Sequence, residues 1–271
     1  MTFSTSTATE AYAVASLTSI EWTTCTWNPV TGCSKVSAGC ANCYAERMAR
    51  RLQAMGNKRY VDGFRVRTHA DLLTLPFEWQ KPRLIFVNSM SDLFHEEVPV
   101  DFIQSVFDAV IRCSRHTFQI LTKRAERLAE LAPSLPWPRN LWMGVTVENQ
   151  SCVRRIDYLR STDAAVKFVS AEPLLGSLEI NLDGLDWLIV GGESGPGARP
   201  MEARWVRDLR DTCRAAGVPF FFKQWGGFNK KAAGRLLDGQ VWEEMPTSCL
   251  GYLPPHSSRF SPATLLSVST R

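Results

Sequence analysis

The chain has 271 residues, with 31 Lys and Arg against 27 Asp and Glu, and apolar residues at 45%. That balance excludes a disordered or fibrous chain, and the absence of a bilayer-length apolar run excludes a membrane-integral one. A formal charge of +4 permits an anionic partner without demanding one.

Residues 1–19 are rich in Ser, Thr and Ala and carry no Lys or Arg. They read as a disordered leader, not a secretory signal. Without an export signal the chain is expected in a reducing cytoplasm (the host's, if the protein is viral). There its eight Cys would not form a disulfide framework. Residues 20–249 read as one α/β domain and residues 250–271 as a flexible tail.

Within the domain, short apolar strands are expected over Ile20–Trp27, Leu84–Ser89, Thr117–Thr122, Leu141–Val147, Val166–Ala171, Leu185–Val190 and Pro219–Lys223. Near-continuous apolar runs of this length fit parallel strands buried on both faces. Helical periodicity lies between them. One helix starts near Asp101 and faces Phe102, Ile103, Val106, Phe107, Val110 and Ile111 inward. A second carries Val153, Ile156 and Leu159. A third runs from about Glu202 to Ala216 and ends at Gly217. Alternating βα units predict a partial or complete parallel TIM-like (β/α) barrel.

Ligands of such folds bind beyond the carboxyl ends of the strands. The predicted strands end there in polar groups: Ser89 and Asp92, Lys123 and Arg124, Glu148, Glu172, the turn Gly191-Gly192-Glu193, and Lys223. Ser89, Glu148, Glu172, Gly191, Gly192 and Glu193 are therefore candidate cofactor or substrate contacts. Two glycines after a buried strand would let backbone N–H groups approach a ligand. Lys123, Arg124 and Lys223 could hold a carboxylate.

Cys33, Cys40 and Cys43 form C-x6-C-x2-C in the loop after the first strand. Three thiolates can hold a [4Fe–4S] cluster and leave one iron open. Structural zinc is the competing reading, with Cys25 as fourth ligand, and plain packing is a third. An open iron can chelate the amino and carboxylate groups of S-adenosylmethionine (SAM), whose one-electron cleavage releases a 5′-deoxyadenosyl radical.

The stretch from Trp27 to Pro246 resembles a family of phage and bacterial proteins catalogued as a domain of unknown function and grouped with radical SAM enzymes. The segments carrying the resemblance are WNPVTGCSKVSAGCANCYAERMARRL, FVNSMSDLFHEEVP, HTFQILTKRAERL, LWMGVTVENQ, FVSAEPLLG, LDWLIVGGESGPGARPM and GVPFFFKQWGG. The resemblance implies a partial TIM barrel, a cluster on Cys33, Cys40 and Cys43, and Glu193 near the methionyl ammonium. It also implies an electron donor such as a flavodoxin or ferredoxin. Here C-x6-C replaces the commoner C-x3-C spacing, and Asn42 stands where an aromatic is usual before the last Cys. Some members look like isomerases in phage DNA hypermodification, converting N-linked glycyl-thymidine to its Cα-linked isomer so that the genome evades restriction. The alternatives are a radical SAM enzyme with another nucleic-acid or small substrate, and a zinc-stabilised nucleic-acid-binding module. A DNA or modified-nucleotide partner draws support from Arg47, Arg50, Arg51, Lys58, Arg59, Arg65 and Arg67, interleaved with Tyr60 and Phe64. Such a strip suits phosphates and stacked bases, though a solvated helix face and loop explain it equally.

Overall fold

A computed structural model describes residues 15–18, 20–229 and 234–246. The tail expected at 250–271 lies outside these residues, as does most of the expected leader. Residues 15–17 belonged to that leader, yet they form an edge strand, β1 (Ala15–Leu17), antiparallel to β2 (Cys25–Trp27). Pairing satisfies a β2 edge that would otherwise stay open. A two-residue pair, β3 (Val30–Thr31) with β4 (Arg67–Thr68), follows. The remaining strands are β5 (Leu84–Val87), β6 (Thr117–Thr122), β7 (Leu141–Thr146), β8 (Val166–Ala171), β9 (Trp187–Gly191) and β10 (Phe220–Gln224).

β2 and β5 to β10 are parallel neighbours in chain order. They curl into a half-barrel whose edges, β1 and β10, do not meet. The fold is thus a partial TIM-like barrel, not a complete one. Strand positions match the expected runs to within a few residues, except that the first is shorter. Thr23 and Thr24 hydrogen-bond Leu84 across the start of that run instead of extending it.

Among the described residues, five α-helices are interspersed with the strands: α1 (Tyr44–Ala54), α2 (Val100–Arg112), α3 (Ala125–Leu131), α4 (Arg155–Arg160) and α5 (Ala203–Ala216). In α2 the buried stripe is Ile103, Val106, Phe107, Ala109 and Val110. Ile111, expected inside, faces solvent because it falls off that stripe. α5 ends as expected at Gly217, whose φ of 67° favours a residue without a Cβ.

Alternation along the strands splits the interior in two. Ile85, Val87, Phe118, Ile120, Met143, Val145, Val169, Leu188, Val190, Phe220 and Phe222 pack outward under the helices. Leu84, Trp142, Val166, Phe168, Trp187, Ile189 and Phe221 point into the concave face, where Trp22 joins them. The rings of Trp22, Phe86, Phe168, Trp187, Trp142 and Phe221 meet edge-on or tilted, with centroids 4.7–6.5 Å apart, and form an aromatic floor. Gly144 is part of this floor, since a Cβ there would lie 2.5 Å from the Phe168 ring.

Candidate functional site

The carboxyl rim is stitched by its own polar residues. Asn88 ends β5 at φ 62°, a conformation Asn tolerates, and its Oδ1 accepts from Val30 N at 3.1 Å. Asn28 Oδ1 accepts from Ser89 Oγ (3.1 Å) and Met90 N (3.2 Å). The Asp92 carboxylate accepts from Thr122 Oγ1 at 2.7 Å, Lys123 N at 3.0 Å and Phe94 N at 3.0 Å. These bonds fix the platform on which the cysteine loop rests.

The loop carrying Cys33, Cys40 and Cys43 is held from several strand ends at once. Arg124, after β6, donates from Nη2 to Ser34 O (3.1 Å) and Ser34 Oγ (2.9 Å), and lies 3.8 Å from Cys33 Sγ. His95 Nε2 meets Ser34 Oγ at 2.8 Å. Glu148, after β7, accepts from Ser37 Oγ and is anchored by Arg155 Nη1 at 2.6 Å. Gly39 lies so close that a Cβ would stand 2.4 Å from Glu148 Oε1. Arg199 donates to Ala38 O at 2.9 Å, and Asn42 Nδ2 donates to Glu193 Oε2 (3.0 Å) and Gly197 O (2.8 Å).

Charge on this platform is set by its partners. Glu193 is held down to about 2, chiefly by the Arg199 side-chain hydrogen bonds against a smaller effect of burial. Burial pushes Glu148 up, but Lys123, Arg155 and Ser37 outweigh it and leave it below the usual range. The Cys33 thiol is pushed up to about 11 by burial and then Asp92, with Arg124 opposing. Burial lowers His95, which is therefore a neutral imidazole facing Ser34.

Cys33, Cys40 and Cys43 are free thiols of intermediate exposure on one loop. Among the described residues no three His, Cys, Asp or Glu side chains are arrayed as a metal-binding group. In kind the donors suit iron–sulfur ligation: three unpaired sulfurs, two of them within electrostatic range of each other and one beside a guanidinium. Cys25 does not join them. It is 1% exposed in the outer core, with Sγ directed to Leu84 O at the amino end of β5.

The remaining candidates separate into two groups. Glu148 and Glu193 hold the cysteine loop, and Ser89 holds Asn28. Glu172 turns into the barrel interior and pairs with Lys223 at 2.9 Å. The two glycines serve protein contacts. A Cβ on Gly192 would stand 2.0 Å from Trp225 O, and Gly192 N already donates to Gln224 O. A Cβ on Gly191 would stand 2.7 Å from Glu172 Oε1. Sequence reasoning missed Arg199, Arg155, His95, Ser34 and Ser37 as loop holders, because each acts across a fold that spacing does not reveal.

The basic strip is only partly free. Arg47 donates to Ser194 O and Pro196 O, while Arg50 pairs with Glu46, Arg59 with Asp71 and Arg67 with Asp62. Tyr60, expected to stack on a base, is 1% exposed in a small core with Ala45, Ala49 and Met90, and Phe64 packs against it. The exposed ring beside the cysteine loop is Tyr44, at 61%.

No helix among the described residues is long and apolar enough to cross a membrane. Comparison with curated proteins finds no match. A solved spore photoproduct lyase mutant with bound AdoMet and dinucleoside spore photoproduct is similar at 10% identity and a TM-score of 0.45. The similarity covers 66% of this chain and 58% of that one, so the chain spans under two thirds of its length. A family model matches residues 17–246, and the chain belongs to that family, described as protein of unknown function (DUF5131).

Proposed function

We propose that this protein is a radical SAM enzyme. In this reading Cys33, Cys40 and Cys43 hold a [4Fe–4S] cluster. Its reaction is the isomerisation of N-linked glycyl-thymidine to the Cα-linked form in viral DNA. The observation that carries the reading is the three-thiol loop, clamped over the carboxyl rim of a partial parallel barrel by Arg124, His95, Glu148, Glu193 and Arg199. A bound cluster supplies one-electron cleavage of SAM.

The chain's own residues do the rest. Arg124 offsets the negative charge of a ligating Cys33. Glu148 and Arg155 keep the loop seated. The aromatic floor closes the amino end of the barrel and excludes water from below. Glu193 supports the methionyl ammonium by exchanging part of its fork with Arg199. Ser89 and the Gly191-Gly192 turn keep the rim in shape beneath the ligand, and a flavodoxin or ferredoxin supplies the electron. The placement of Cys25 in the outer core removes the fourth sulfur on which a zinc module would depend.

Anaerobic reconstitution with iron and sulfide tests this. The expected product is brown, holds about four irons per chain, loses them in Cys40→Ala and cleaves SAM under strong reduction. With DNA bearing glycyl-thymidine it gives a product of unchanged mass. A colourless protein binding one zinc would overturn the enzyme reading. Turnover of SAM without a mass-neutral product would overturn the isomerase alone.

A further inference from the structure

The barrel interior holds charges that the cysteine loop does not use. Glu172, just beyond β8, reaches Lys223 on β10 with Oε1 2.9 Å from Nζ, and its Oε2 accepts from Ser170 Oγ at 3.1 Å. β9 lies between those two strands. The carboxylate crosses it at Gly191, where a Cβ would stand 2.7 Å from Glu172 Oε1. A side chain there would obstruct the crossing.

The pair lies one layer above the aromatic floor. Glu172 follows Phe168 and Ser170 at two-residue intervals, and Lys223, at the register shift between Phe222 and Gln224, is brought to the same side by its 2.9 Å contact with Glu172. The two side chains stay 18% and 14% exposed, so the pair is not sealed from solvent. Burial works against the charge of Lys223, but Glu172 and Glu21 outweigh it and hold the amine protonated.

An ion pair is a poor filler for a barrel. Removing two charges from water offsets most of their attraction, and apolar residues of equal volume stabilise as well or better. Partly exposed on the concave side of the sheet, the same two charges suit a receptor. Side by side with opposite signs, they match an amine next to a carboxylate. We propose that Glu172 and Lys223 clamp the zwitterionic amino-acid head of a bound small molecule, with Lys223 taking the carboxylate and Glu172 the amine. The inference rests on the function proposed above, under which the open iron and Glu193 take the amino-acid head of SAM, so the clamp is left to the head of the substrate, N-linked glycyl-thymidine.

Calorimetric binding to the anaerobically reconstituted full chain tests the clamp. The probes are SAM against 5′-methylthioadenosine, which lacks the head, and N-linked glycyl-thymidine against thymidine. Lys223→Met is expected to weaken N-linked glycyl-thymidine about ten-fold or more, leaving thymidine, SAM and 5′-methylthioadenosine within about two-fold. Glu172→Gln acts in the same direction. Loss for glycyl-thymidine with SAM unmoved supports the clamp, and loss confined to SAM overturns it. Unchanged affinity for both heads overturns the clamp, as does wild-type protein binding neither. Iron content and SAM cleavage on the same samples report on the enzyme reading separately. If Lys223→Met does not fold, the pair Lys223→Gln with Glu172→Gln, which leaves no unpaired charge, carries the same expectation.

Discussion

Arg124 and Glu193 show how single side chains set the chemistry of the cysteine loop. The Arg124 guanidinium stabilises a Cys33 thiolate, while Asp92 and burial oppose it. Arg124→Met should therefore raise the Cys33 thiol further above about 11. The expected result is slower alkylation of Cys33 at alkaline pH, read from the pH profile of thiol modification, together with poorer iron loading. An unchanged profile would mean that the contact at 3.8 Å has no electrostatic weight. Glu193 makes a second prediction. Its folded value, about 2, lies below the ordinary 4.5, so its pairing stabilises the fold above pH 4.5 and is lost as pH falls from there toward 2. Glu193→Gln should cost about 1–2 kcal/mol at neutral pH, discounted because Arg199 is partly solvated. The gap to wild type should narrow in thermal melts as pH drops below 4.5, and a gap constant with pH would remove the charge from the account.

At the level of elements, legibility in the sequence followed burial. Strands covered on both faces left near-continuous apolar runs, and α2 and α5 had enough buried positions to display a period. α3 did not, because only Ala125 and Leu128 are buried in its seven residues, too few to establish one. β1 escaped because its order comes from pairing with β2. The three cysteines were legible as a motif. Of the side chains that seat them, Arg124, Glu148 and Glu193 were legible as polar strand ends, but Arg199, six residues beyond Glu193, and Arg155, seven beyond Glu148, were not, since only tertiary folding brings them to the loop. Glu148→Ala probes that seating directly. It leaves Arg155 without its anion and Ser37 without its acceptor, at a cost of roughly 3 kcal/mol. Trypsin should then cut several-fold faster at Lys35, whose side chain is already half exposed. Equal cleavage rates would show that the loop is held without Glu148.

For the molecule as a whole, the question is how a half-barrel meets a polymer. The positive excess is small, and much of the basic strip near the cysteine loop is bound to acids or carbonyls of the protein itself. Arg51 and Arg65 are exposed cations of that strip, and Tyr44 is the exposed ring between the strip and Cys43. If DNA is the substrate, these side chains face it, and the target base must leave the stack to reach the concave face. Single-stranded DNA should therefore bind better than duplex, with shallow salt dependence because few phosphates are neutralised. Arg51→Glu combined with Arg65→Glu should weaken single-strand binding and lower the slope of log K against log salt by about one to two. Tyr44→Ala should weaken binding by about 1–3 kcal/mol with the slope unchanged, since stacking releases no counterions. Fluorescence anisotropy across a salt series separates the two effects, and iron content of each variant shows that the loop is intact. Affinity and slope unmoved by all three substitutions would take this face out of contact with nucleic acid and leave a free nucleotide as the molecule that enters the barrel.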